Sequence, residues 1–359
     1  MNRIARQYFG MLWLALALLL RGLFGLSPFL FDVIWFEGLF PAIREVQTTV
    51  FSYLPLPGYG AGVILLLAWL IWRLPIRKSN RVSWKVFLRR LANLLGGIGA
   101  SFLMLWGYNY QDRGMAARLG IERSEKVEKV AEAYLETMDR AMVHRAAIAA
   151  IDSYPSVEEV PLTLSDRDIE NLVRDVLAPL GYPVKAGVNI RYLRPEGLLR
   201  RMSIAGIYNP WTGEANVDHI YGPLPRIFTA AHEMAHAFGV TSEAEANFTA
   251  YLACLSANDP LARYAAEYAL WRTLAGEVNR SYPPEIRESL ATAIPEDLRT
   301  DRAAIWRNAM RYKGYFPELS EALNDTYLKV QGVEAGVDDY NAFAALYFSW
   351  RRENAEIKR

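Results

Sequence analysis

Cysteine and histidine are scarce in this chain of 359 residues, which has one cysteine and four histidines. The lone Cys254 cannot form a disulfide within the chain, so the fold depends on its core and on any bound metal ion. The formal net charge of +1 at pH 7 predicts no polyanionic partner such as a nucleic acid. No internal repeat or low-complexity tract is visible, which excludes repeat architectures.

Long apolar runs are concentrated in the first 110 residues, whereas the remainder has the composition of a soluble domain. A helix needs about 20 apolar residues to cross the hydrocarbon core of a membrane. We interpret three stretches as transmembrane helices, Tyr8 to Leu26, Gly58 to Leu74 and Leu91 to Tyr108. The sequence therefore predicts a membrane domain over residues 1–110 and an outer domain over residues 111–359.

A cleaved signal peptide is the alternative for the first stretch. No small-x-small cleavage site precedes a polar start, so we expect the stretch to be retained. From Arg73, at the end of the second stretch, to the start of the third stretch the chain carries no acidic residue and seven cations, namely Arg73, Arg77, Lys78, Arg81, Lys85, Arg89 and Arg90. Because cationic loops stay in the cytoplasm, we predict a multi-pass protein with a cytoplasmic N-terminus and an extracytoplasmic outer domain. A loop so placed meets the lipid bilayer before any nucleic acid.

His232 and His236 stand four residues apart, with Glu233 between them, in an H-E-x-x-H motif. An α-helix places both imidazoles on one face, where they can bind one metal ion while Glu233 lies beside the open coordination position. Zinc suits two imidazoles and a carboxylate, and Glu233 is the expected general base. A chance occurrence on a solvated helix is the alternative, but the apolar run from Ile227 to Phe238 predicts a buried helix. The motif therefore indicates a hydrolase with one Zn²⁺.

Two downstream carboxylates are candidates for the third ligand, Glu243 and Glu245. Ser242 and Glu245 match an S-x-x-E capping box, which would occupy Glu245, so we favour Glu243 and retain Glu245 as the alternative. Asn247 lies one helical turn beyond Glu243, where its amide is expected to orient a ligand histidine. The H-E-x-x-H-x-x-G-x-x-H pattern is disfavoured because Ser242 stands at its last position.

Two extended runs flank Pro210-Trp211-Thr212-Gly213 just before the motif and predict a β-hairpin. Zinc peptidases commonly bind substrate as an added strand at a sheet edge beside the metal helix. The candidate substrate-binding backbone is therefore the second run of the hairpin, which comprises Glu214, Ala215, Asn216 and Val217.

Helical periodicity is expected from Ser124 to about Ile151, from Ser165 to about Leu180, and through most of the chain after Phe248. A further strand is expected from Val188 to Tyr192. The predicted fold class is α+β, mostly helical, with three N-terminal transmembrane helices and a small antiparallel sheet.

Five segments resemble a bacterial membrane family known as domain of unknown function 3810 (DUF3810): PLPGYG, WGYNYQDR, GIYNPWTGEANV, HEMAHAFGVTSEAEANFTAYLAC and NDTYLK. The resemblance implies a three-span protein of the bacterial cytoplasmic (inner) membrane with an extracytoplasmic zincin-like domain. The segment from Glu243 to Asn247 is also similar to the E-x-x-x-D of Glu-type zincins, which implies Glu243 as the ligand. Asn247 departs from that pattern, and its neutral amide supports a ligand histidine less strongly than an aspartate.

Together these features predict a membrane-anchored zinc metallopeptidase that acts on a peptide or protein substrate. The alternative is a noncatalytic protein with a structural zinc site, whose outer domain binds a partner or a cell-envelope component; a closed site with both Glu243 and Glu245 as ligands would favour it. A transporter is disfavoured because the spans lack acidic pairs and inverted repeats. The oligomeric state is left open.

Overall fold

The computed structural model describes residues 8–54, 83–121, 129–314 and 342–357, together with residues 318, 322 and 326. The chain divides into two compact units. The first comprises Met1–Asp112 with two later segments, Lys185–Asn189 and Asn209–Glu214. The second comprises Arg113–Val184, Ile190–Tyr208 and Ala215–Arg359.

The first unit contains three long helices in its described residues, α1 (Phe9–Leu26), α2 (Phe40–Ser52) and α3 (Trp84–Leu105). A short turn of helix and a π-helical stretch, Phe31–Leu39, link α1 to α2. Within the described part of the chain, α1 and α3 are the two helices long and apolar enough to cross a membrane. The predicted second span, residues 58–74, lies outside the described residues.

Helix α3 begins and ends earlier than the predicted third span, which was placed from Leu91 to Tyr108. It starts at Trp84, so three cations of the predicted loop, Lys85, Arg89 and Arg90, lie in its first turns. Long cationic side chains at a helix end can extend their charged groups into water, so they do not prevent the helix from starting there. After Leu105 the backbone tightens into a 3₁₀ turn over Gly107–Gln111.

Helices α1 and α3 approach each other closely at two glycines. A Cβ atom on Gly10 would lie 1.9 Å from the backbone oxygen of Asn93, and one on Gly96 would lie 2.8 Å from the backbone oxygen of Gly10. Such contacts between small residues are typical of paired membrane helices. The outward faces are apolar, with Leu12, Leu19 and Leu95 exposed.

The second unit is mostly helical. Its longer helices in the described residues are α4 (Val130–Ala149), α5 (Asp166–Leu177), α6 (Pro223–Ala237), α7 (Glu243–Ser256), α8 (Pro260–Ser281), α9 (Pro284–Thr292), α10 (Glu296–Met310) and α11 (Ala342–Ile357). Helix α8 packs against α4, α6 and α7, and α5 packs against α6 and α7. This packing buries every residue of α6 from 230 to 237, the part that carries the H-E-x-x-H motif.

Helix boundaries follow capping residues and prolines. Helix α5 starts after Ser165, which forms a capping box with Asp168. Helix α6 starts at Pro223, earlier than the predicted Ile227, because a proline in the first turn has no intrahelical N–H to lose. The chain after Phe248 forms separate helices, since Asp259 caps a new helix that begins at Pro260.

The described residues form three strands, β1 (Asn189–Leu193), β2 (Gly206–Asn209) and β3 (Glu214–Asp218), in the order β1-β3-β2. The sheet is mixed, so the predicted antiparallel sheet is wrong. Only β2 and β3 are joined by a short hairpin, which requires antiparallel pairing. The long connection after β1 permits the other orientation.

The prediction that Glu214, Ala215, Asn216 and Val217 form a sheet edge for substrate binding is also wrong. These residues belong to β3, which lies between β1 and β2 and is buried along its whole length. Its backbone hydrogen-bonds to a strand on each side, so an added strand has no free ladder to join. Strand β2 is the edge strand of the hairpin.

Candidate metal centre

Helix α6 holds both motif histidines in the interior of the second unit. His232, Glu233 and His236 are 8%, 4% and 7% exposed, although all three side chains are polar. The helix ends at Ala237, and two residues later Gly239 has a φ of +100°, a left-handed conformation that favours glycine. The chain then turns back, and Ser242 caps α7, where Glu243 is the first residue. This turn brings Glu243 to the two imidazoles.

Three potential ligand atoms meet at one point. His232 Nε2 lies 3.1 Å from His236 Nε2 and 3.1 Å from Glu243 Oε2, and His236 Nε2 lies 3.6 Å from Glu243 Oε2. Two atoms bound to zinc at about 2.0 to 2.1 Å lie about 3.3 Å apart at the tetrahedral angle. The three separations therefore match one face of a tetrahedral zinc site. His232, His236 and Glu243 are thus a group that could hold a metal ion.

The outer ring nitrogens orient both imidazoles. Nδ1 of His236 donates to the backbone oxygen of Val240 at 2.7 Å, and Nδ1 of His232 lies 2.9 Å from Oδ1 of Asn247. A carbonyl oxygen only accepts, so the proton of neutral His236 is on Nδ1 and the lone pair of Nε2 faces the ligand point. This donor set fits zinc, and hydrogen-bonded ligand histidines are the rule in such sites.

Replacement of Asn247 tests whether its amide oxygen supports His232 as a zinc ligand. Asn247→Leu keeps the branched shape of the side chain and removes the acceptor, so we expect zinc affinity to fall about 10- to 100-fold. Asn247→Asp retains an acceptor with more negative charge and is expected to bind zinc at least as tightly as the wild type. Competition with a chromogenic chelator measures both constants. Equal losses in the two variants would contradict a role for the amide oxygen.

Glu233 is buried between α6 and β2. A Cβ atom on Gly206 would lie 2.6 Å from Oε1 of Glu233, so the strand backbone packs directly on this carboxylate. The backbone N–H of Tyr208 donates to Glu233. Burial raises the pKa of Glu233; the imidazoles of His232 and His236 oppose this increase. A raised carboxylate pKa brings a general base closer to the pH at which it must work.

The pKa values of His236 and Glu243 depend on the attraction between their charged forms. Burial by itself would lower the pKa of His236, but attraction to the Glu243 carboxylate outweighs it and raises the pKa to about 9. Burial opposes ionisation of Glu243, yet the adjacent His236 and His232 hold its pKa far below the ordinary value. Glu243 is thus an anion under all physiological conditions, as a metal ligand must be.

Glu245 points away from this site. Its backbone N–H donates to Oγ of Ser242 at 3.3 Å, which is one half of the predicted capping box. Its carboxylate accepts from the backbone N–H of Ala116 at 3.3 Å, in the short helix Gly114–Arg118. The geometry therefore brings Glu243, and not the alternative Glu245, to the histidines.

The family model described as "Protein of unknown function (DUF3810)" matches residues 35–348. The chain belongs to this family. The DUF3810 match includes α2, the hairpin of β2 and β3, the H-E-x-x-H helix and Glu243. No curated protein and no solved structure matches the chain.

Sequence reasoning missed the contribution of β2 to the site. Gly206 and the backbone N–H of Tyr208 contact Glu233, yet neither contact depends on a side chain with recognisable chemistry. The available signal was Gly206 itself, because a glycine inside a strand often marks a close approach of the backbone to another group.

Proposed function

We propose that this DUF3810 protein is a membrane-anchored, zinc-dependent metallopeptidase with a zincin-like outer domain. The observation that carries the proposal is the convergence of His232, His236 and Glu243 with separations of 3.1 to 3.6 Å. Glu233, the residue expected to act as base, follows His232 on the same helix. A solvated helix with a chance motif would not bury these groups together.

The chain's own residues supply binding and proton transfer. Bound zinc contributes a Lewis acid that polarises a carbonyl and lowers the pKa of a coordinated water toward neutrality. Glu233 accepts the proton of the attacking water and passes it to the leaving amine. The Tyr208 N–H and the backbone at Gly206 hold the Glu233 carboxylate while the proton moves.

We assign peptide binding to β2 in place of β3. Strand β2 is at the edge of the sheet, and its Gly206 contacts Glu233. An extended peptide that adds to this edge would run beside the base and the metal ligands. The exposed side chain of Ile207 and the buried side chain of Tyr208 would then lie on opposite faces of the sheet that the bound peptide extends.

An open coordination position distinguishes this proposal from a structural zinc site. A closed site needs a fourth protein ligand, and Glu245 was the candidate. Its carboxylate binds the backbone N–H of Ala116 instead. The ligand set of three in the described part of the chain supports a position for water.

We also propose that the metal site faces outward from a cytoplasmic membrane. Two described helices are long and apolar enough to span it, and their outward faces are apolar. The cations before and within the start of α3 favour a cytoplasmic location for that end of the helix. A helix that then crosses the membrane once delivers residue 106 and the following chain to the other side.

Zinc removal tests the function in the detergent-purified full chain. We expect the wild type to contain about one zinc per chain and to cleave members of a quenched-fluorescent peptide library. Dialysis against a chelator should abolish cleavage, and equimolar zinc should restore it. Cleavage that survives complete zinc loss would overturn a metallopeptidase mechanism. A protein that contains zinc but cleaves no peptide would favour the structural-site alternative.

A further inference from the structure

Helix α2 buries polar side chains against the turn of the β2–β3 hairpin. Arg44 and Gln47 are 1% and 5% exposed. Nη1 of Arg44 donates to the backbone oxygen of Gly213 at 2.6 Å, and Nε2 of Gln47 donates to that of Pro210 at 2.8 Å. The turn thus presents backbone oxygens to two adjacent donors of one helix.

The turn has a conformation that fits these donors closely. Gly213 has a φ of +70°, a left-handed conformation that favours glycine, and its N–H donates to the backbone oxygen of Asn209 at 2.8 Å. A Cβ atom on Gly213 would lie 2.0 Å from Nη1 of Arg44. The guanidinium therefore occupies the space that any side chain at this position would need.

The same helix also holds the start of β1. Nη2 of Arg44 and Oγ1 of Thr48 both donate to the backbone oxygen of Gly187, at 3.1 and 2.8 Å. Nδ2 of Asn189, the first residue of β1, donates to the backbone oxygen of Thr48 at 2.9 Å. One guanidinium therefore bridges the loop before β1 and the turn between β2 and β3.

We infer that Arg44 and Gln47 are positioning residues that hold the turn of the β2–β3 hairpin and, with it, the Asn209 end of β2. The inference rests on the proposed function. Strand β2 ends at Asn209 in the turn that these residues hold, and its other end carries Gly206 against Glu233. A strand is too stiff to absorb a shift of its end over so few residues. A misplacement of about 1 Å near reacting groups costs about 100-fold in rate.

Hydrogen exchange of the full chain in detergent tests the inference without requiring activity. Arg44→Met keeps the aliphatic stem and removes both donors. We expect amides of residues 206–209 to exchange at least tenfold faster, zinc content to remain unchanged, and kcat for a cleaved peptide to fall at least tenfold. Arg44→Lys, which retains one donor, should be intermediate in both exchange and kcat. Glu45→Gln, at an exposed position of the same helix, is the matched control and should behave as the wild type.

Each outcome decides between distinct alternatives. Exchange of residues 206–209 at the wild-type rate in Arg44→Met overturns the inference. If these amides exchange faster in Arg44→Met but kcat is unchanged, the inference that Arg44 is a positioning residue is overturned as well. If the wild type cleaves no peptide, the proposed function fails, while the exchange rates still support or overturn the hold on the hairpin. Should Arg44→Met fail to fold, Gln47→Leu removes only the bonds to Pro210 and Trp211 and takes its place in the same measurements.

Discussion

Glu233→Gln is expected to bind zinc normally and to lose peptide hydrolysis. Glutamine preserves the shape of the side chain, and its oxygen can still accept from the Tyr208 N–H that holds Glu233. It cannot accept a proton from water. General-base catalysis contributes about 100- to 10,000-fold, so kcat should fall by that factor. The corresponding loss of transition-state stabilisation is about 2.7 to 5.4 kcal/mol.

Two measurements on the same Glu233→Gln sample separate chemistry from folding. Elemental analysis should give the zinc content of the wild type, and thermal unfolding should show no loss of stability. Glutamine is neutral, whereas burial disfavours the ionised form of Glu233 and raises its pKa. Hydrolysis at the wild-type rate would remove Glu233 from the mechanism. Loss of zinc in this variant would indicate that Glu233 belongs to the ligand set.

Glu243→Gln is expected to lose the metal, while the same change two residues later is not. Oε2 of Glu243 lies 3.1 Å from Nε2 of His232 and 3.6 Å from that of His236, where a negative ligand is needed. An amide oxygen is a much weaker zinc ligand than a carboxylate. Removal of a supporting partner costs about 10- to 100-fold in affinity, so loss of a direct ligand should exceed 100-fold.

Glu245→Gln is the matched control because it lies in the same first turn of α7. Its glutamine oxygen can still accept from the Ala116 N–H, so folding and zinc affinity should be retained. Zinc affinities of the two variants are measured side by side by chelator competition. The reverse pattern, with affinity lost in Glu245→Gln and kept in Glu243→Gln, would contradict the ligand set.

The candidate ligands were largely predictable because they depend on short-range geometry. His232 and His236 share a helix face by their spacing, and Glu243 and Asn247 share the next helix by theirs. The local cap at Ser242 favoured Glu243 over Glu245. The structure contains the Ser242 half of that cap, whereas the Glu245 carboxylate accepts from the distant Ala116 N–H. Periods and caps act over a few residues, so they are readable from one segment at a time.

Strand order was not predictable in the same way. The polar and apolar alternation from Glu214 to Val217 does not tell an edge strand from a central one, and β3 is central because β1, a segment from before the hairpin, pairs with it. The sequence between the first and second predicted spans carries charges of both signs, and nothing in it marks a buried polar residue. Its Arg44 and Gln47 are buried, and both donate hydrogen bonds to distant backbone oxygens, those of Gly187, Pro210 and Gly213.

The sequence by itself determined which side chains can meet at the candidate metal centre, the two apolar helices of the described residues and the capped start of a helix such as α5, since each depends on residue types close together in the chain. Tertiary structure alone decided that β3 is central, that β2 lies against Glu233, and that α2 holds the hairpin. These contacts join residues far apart in the chain through backbone atoms. Every residue type carries the same backbone atoms, so no composition or spacing distinguishes the partners before the chain has folded.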